Sequence, residues 1–237
     1  MYAKLLAYEI RSRAVADGRS FGAFVAVIAV AAGIVAAGLP GISGSTAVLA
    51  YALCALTPVA CAIAALADYW KTLYGQRGYF TMSLPISGKV VFWAKNTRIM
   101  MECLLALALA VGGILAVASA AAWSDGISLA EYTAGPRSVV AGMPTVTVVL
   151  MIAAQLILAM SWIVQGCAVM SIGAQGRFNH LGFGAPIIGF VLVYVVNQVL
   201  STVGTFFLPL SVTTDGHFST EIMWTSYLAT MGTEGHP

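Results

Sequence analysis

Residues 20–67 read SFGAFVAVIAVAAGIVAAGLPGISGSTAVLAYALCALTPVACAIAALA, from Ser20 to Ala67, without one charged side chain. The run is 48 residues long, and one helical crossing of a bilayer takes about 20, so it has room for two. Its middle, Gly38-Leu-Pro-Gly-Ile-Ser-Gly-Ser45, gathers turn formers. The stretch therefore reads as a hairpin of two spans, 21–39 and 46–67. That hairpin sets the fold class as an all-α integral membrane protein, a polytopic helix bundle.

The rest of the chain agrees. It is 60% hydrophobic and 8% charged, with a mean hydropathy of +0.91. A soluble domain carries roughly a quarter of its residues as charges, and a core this apolar would leave too little polar surface to face water. Three more spans follow, at 99–121, 144–171 and 183–208, and then a tail, 209–237, whose apolar piece 222–231 is too short to cross. All of 1–237 reads as one transmembrane domain. Upstream of the first span, Tyr2, Leu6, Ile10 and Ala14 recur at intervals of four while Lys4, Arg11 and Arg13 lie on other faces. This pattern predicts a separate interfacial helix over 1–18, with its bases toward lipid headgroups. The first apolar run reads as a retained span and not as a cleaved signal.

Charge placement orients the spans. Ten of the eleven Lys and Arg lie in the first nineteen residues, between Lys71 and Arg98, or at Arg177. Basic loops stay on the cytoplasmic side, which predicts a cytoplasmic N-terminus, five passes and an outside tail. Arg137 is the one base on the other side.

The motifs of several enzyme classes are missing. The sequence has no H-E-x-x-H, no G-x-S-x-G and no phosphate-cradling G-x-x-x-x-G-K-[ST]. His180, His217 and His236 lack acidic or cysteine partners at ligand spacing, so no catalytic residue and no metal site is assigned. Cys54, Cys61, Cys103 and Cys167 sit in apolar tracts and read as packing residues. No basic stripe interleaved with aromatics supports nucleic-acid binding. Polarity at membrane depth comes down to amides, Gln155 and Gln165 in the fourth span and Asn197 and Gln198 in the fifth, which serve either as a helix interface or as the lining of a path. Arg98 and Glu102, four residues apart, predict a local ion pair.

The remaining signal is the polar connection 68–98, which opens DYWKTLYGQRGYFTMSLPISGKVVFWAK from Asp68 to Lys95. Trp70, Leu73, Tyr74, Tyr79, Phe80, Met82 and Leu84 make it too apolar for a free linker, so it needs burial against helix ends, the membrane surface or another subunit. Pro85 interrupts any continuous helix, and the predicted shape is helix, break, helix.

At this point the chain resembles the permease subunits of ABC-2 type transporters, in particular their Gram-positive branch. The residues that carry the likeness are Tyr74, Gly75, Gly78, Tyr79, Leu84, Pro85, Ser87 and Lys95, with the basic opening Lys4-Leu-Leu-Ala-Tyr-Glu-Ile-Arg11. The resemblance implies a type V exporter-like architecture in a bacterial plasma membrane, with a second permease chain as homo- or heterodimer partner. It implies no cofactor on this chain, with ATP and Mg on a separate ABC ATPase subunit. The connection 68–98, through these residues and Arg77, would be a cytoplasmic coupling helix seated on that ATPase. The cargo would be an amphipathic or apolar small molecule or peptide, and membrane lipid would surround the spans. Such permeases usually have six spans and end inside, so either a sixth is missing from this sequence, the favoured expectation, or the C-terminal segment is differently arranged. A membrane anchor that holds a cytoplasmic partner, or an ion-driven carrier, would use the same spans; the carrier would need a mid-membrane carboxylate, which the spans lack.

Overall fold

A computed structural model describes residues 1–75, 78, 86–182, 184–209, 211–212, 218–220, 222–225 and 227–228. Its helices are α1 (Tyr2–Ala36), α2 (Ser43–Leu73), α3 (Gly88–Ser124), the short α4 (Leu129–Tyr132) and α5 (Ala134–Ala141), α6 (Thr145–Gly173) and α7 (Gly184–Phe207). Among the described residues, five of these, α1, α2, α3, α6 and α7, are long and apolar enough to cross a membrane. The protein is therefore helical and membrane-embedded. The tail adds one two-residue antiparallel pairing, Ser211–Val212 with Phe218–Ser219.

The interfacial helix predicted over 1–18 is not a separate element. Residues 2–36 form one helix of 35 residues; Gly18 and Gly22 flank the expected joint, each a weak helix former, but no proline interrupts the run and the helix continues through them. The turn after it falls where turn formers gather: Gly38 and Gly41 take φ of +63° and +78°, the left-handed region that favours glycine. Ser43, Gly44 and Ser45, expected in the turn, already belong to α2. The connection 68–98 is also mostly helix. It prolongs α2 to Leu73 and is resumed by α3 at Gly88.

The chain divides into two compact units, Met1–Ala134 and Gly135–Pro237. Hydropathy marks spans but carries no information about which spans pack together. In the first unit α3 is central, with α1 and α2 against it. Its buried residues Ile99, Cys103, Ala106, Ala110, Gly113 and Val117 alternate steps of four and three, the seam that keeps one face toward its neighbours along a left-handed packing. Four of the six are small, which lets the helices approach closely without a bulky core. Ile28 of α1, Ala50 and Cys54 of α2, and Ala110 and Val117 of α3 form one buried cluster.

In the second unit α6 and α7 form a hairpin through a 3-10 turn at Gly176–Leu181. Burial on α6 is concentrated near that turn, at Ile163, Gly166, Cys167, Val169, Met170 and Gly173. At the other end of α7, Trp224 stacks on Phe207 and meets Phe206 edge-on, with ring centroids 6.2 and 5.9 Å apart.

Candidate functional site

The densest chemistry lies where the N-terminal half of α1, the end of α2 and the start of α3 meet. Arg13 on α1 reaches Asp68 on α2 at 2.7 Å. The other oxygen of Asp68 takes Arg98 on α3 at 3.3 Å, and Arg98 pairs with Glu102 at 2.7 Å. Lys95 donates to Glu9 at 2.9 Å and to the Thr72 hydroxyl at 3.1 Å. Near this group, Tyr2 and Thr97 share a hydroxyl hydrogen bond of 2.7 Å. Three cations, Arg13, Lys95 and Arg98, thus face three carboxylates, Glu9, Asp68 and Glu102, and the network is neutral.

Depth follows from the helical rise of about 1.5 Å per residue. On that scale Arg13 lies about 34 Å from the far end of α1 at Ala36. Asp68 lies about 37 Å from Ser43, and Glu102 about 33 Å from Ser124. The hydrocarbon core of a bilayer is about 30 Å thick, so all three helices bring their charges to one membrane boundary. The side chains of Lys95 and Arg98 are only 5% exposed. Burial of this kind is tolerated because every charge has an opposite charge within reach.

Two clefts open beside the network. One, of about 570 Å³, is lined by Arg13, Ala64, Ala67, Asp68, Lys71, Thr72 and Gly75. The other, of about 420 Å³ between α1 and α3, has Asp17, Arg98 and Glu102 among apolar side chains that include Phe21 and Leu105. In the second unit an apolar cleft of about 280 Å³ lies between the 3-10 turn and the adjoining ends of α6 and α7.

Sequence reasoning assigned Lys95 to a surface for an ATPase. Here it is buried and paired with Glu9. Tyr74 is half-buried, its ring 5.3 Å from that of Trp70 and 6.3 Å from that of Tyr69. Gly75 and Gly78 form one turn, the Gly78 N–H donating to the Gly75 carbonyl at 2.8 Å. Ser87 is exposed and stands at the N-cap of α3. Arg77, Tyr79, Leu84 and Pro85 lie outside the described residues. Of the four amides, Asn197 donates to Gln165 at 2.6 Å and joins α7 to α6, whereas Gln155 and Gln198 are exposed. Arg98 and Glu102 are paired as their spacing predicts, but Arg98 also binds Asp68 across helices. Sequence reasoning missed Glu9, Arg13, Asp68 and Thr72 as members of one group. A signal was available, since the spans put these positions at one depth.

Comparisons with protein-family models, with curated proteins and with solved structures return no match.

Proposed function

We propose that this chain is the transmembrane permease subunit of an ATP-driven exporter of the ABC-2 type, without catalysis of its own. In this reading it contributes to the substrate path and takes its energy from ATP and Mg bound on a separate ATPase chain. It sits in a bacterial plasma membrane with its N-terminus in the cytoplasm, beside a second permease chain. The observation that supports the reading best is the neutral charge network immediately membrane-side of the connection 74–87. Ion pairs across α1, α2 and α3 make the three helix ends one rigid body, so a push on the connection moves three spans together. Burial of Lys95 narrows the docking surface to residues 74–87, with Lys71 and Lys89 exposed at its edges.

The test is recovery of the full chain from its native membrane after mild cross-linking, with mass spectrometry of what comes with it. An ATPase carrying a Walker motif is expected, and Tyr79→Asp or Leu84→Asp should release it while membrane insertion stays intact. Recovery of the ATPase undiminished by both variants, or recovery of a non-ATPase partner alone, overturns the proposal; the second result favours a membrane anchor.

A further inference from the structure

The charge network leaves one side of the first unit unevenly balanced. Lys95 has Glu9 and Arg98 has Glu102, each within 3 Å. Asp68 is shared, one oxygen to Arg13 and the other to Arg98. Lys71, exposed three residues beyond Asp68, has no carboxylate within ion-pair distance among the described residues. Arg13, Asp68 and Lys71 all line the cleft of about 570 Å³. Two cations there face a single carboxylate that is already claimed on both oxygens. The Arg13 Nε is buried without a hydrogen-bond partner. Thr72 offers little to a ligand, because its hydroxyl donates to the Asp68 carbonyl at 2.8 Å and accepts from Lys95.

Depth and wall chemistry identify the missing anion. The cleft lies at the boundary set by Arg13 and Asp68, where phospholipid phosphates sit. Its wall continues along α2 as Ala67, level with Asp68, and Ala64, about one helical turn nearer the bilayer centre, small apolar residues that leave room for an acyl chain. A guanidinium offers a planar fork to phosphate oxygens, and an ammonium adds a mobile point charge. Basic pockets between spans are general headgroup sites. We infer that this cleft between α1 and α2 binds the phosphodiester of an anionic phospholipid, held by Arg13 and Lys71. A zwitterionic headgroup brings its own ammonium toward Lys71 and is disfavoured.

The inference does not depend on transport and is tested on the full-length protein alone. The protein in mild detergent is mixed with phosphatidylglycerol or with phosphatidylcholine of the same acyl chains, and bound lipid is counted by native mass spectrometry. One phosphatidylglycerol per chain is expected, retained about fivefold or more over phosphatidylcholine, the usual effect of one base near a charged headgroup. Lys71→Gln should lower that retention about fivefold, and Lys71→Arg should keep it. Arg13→Gln should act in the same direction, but it also breaks the pair with Asp68. Lys71, exposed and outside the network, is therefore the deciding variant, and its thermal unfolding should not change. Equal retention of the two lipids, or unchanged retention in Lys71→Gln, overturns the inference. Displacement of phosphatidylglycerol by excess inorganic phosphate would assign the cleft to free phosphate and overturn the lipid.

Discussion

The two units hold their helices together by different means. In the first, three helices are tied at one end by ion pairs and packed along the small-residue seam of α3. In the second, burial on α6 gathers in the half nearest the turn, a bond from Asn197 to Gln165 joins α7 to α6 further along, and the most apolar stretch of α7 has no buried residue. Lipid tails are as apolar as leucine, so apolar burial does little to drive helices together inside a membrane. What remains is charge pairing at the wet boundary, close contact between small residues, and polar pairs at depth. The first unit uses the first two of these and the second unit the last two. The difference predicts a graded set of responses.

The largest response is expected at Asp68. Asp68→Ala removes the carboxylate that two arginines share and leaves Arg98, 5% exposed, with Glu102 alone. A buried charge left with no partner costs about 3–5 kcal/mol; Arg98 keeps Glu102, so the expected fall lies below that ceiling and above the value of an exposed pair, about 1 kcal/mol. Thermal unfolding of the detergent-solubilised protein should show a fall in that range. Loss of less than about 1 kcal/mol, the range of exposed pairs, would mean that the network is solvated and the seam alone holds the first unit.

Gly173 is the corresponding point in the second unit. A Cβ there would stand 2.8 Å from the backbone nitrogen and Cδ of Pro186, atoms of a rigid ring at the start of α7. Gly173→Val therefore has to push the two helices apart. Overpacking of this kind costs about 1–3 kcal/mol, measurable in the same unfolding experiment. The first unit supplies a control at Gly113, where an added Cβ meets the Cys54 sulfur at 2.7 Å. A single side chain can turn away more readily than a proline ring, so Gly113→Ala should cost less than Gly173→Val.

The five spans were legible because a span must be nearly free of charge, and runs such as 20–67 can be read in no other way. The division into two units was not, since hydropathy gives a helix its solvent and not its neighbour. The network was half-legible. Arg98 and Glu102 share a helix and pair at a spacing the sequence prints, whereas Glu9 and Lys95 are 86 positions apart and meet through tertiary packing alone. Lys95 shows the physical reason its burial was not legible. A base in a polar connection reads as solvated, but α3 begins at Gly88 and turns that base inward toward α1.

The smallest response is expected at Asn197, and it separates the two roles that amides at depth can play. Asn197 and Gln165 share one hydrogen bond of 2.6 Å between α7 and α6, and both are half-buried. Such bonds in membranes average about 0.6 kcal/mol and reach about 1.7, because each partner finds other company when the helices separate. A double-mutant cycle over Asn197→Leu and Gln165→Leu should return a coupling in that range. Gln155→Leu and Gln198→Leu, at exposed positions, should leave stability within about 0.5 kcal/mol of the parent. If the cycle gives no coupling while, on the proposed exporter reading, Asn197→Leu abolishes transport, the bond is incidental and Asn197 lines a path. Coupling with transport intact makes the pair structural, the second unit's small counterpart of the charges that tie the first.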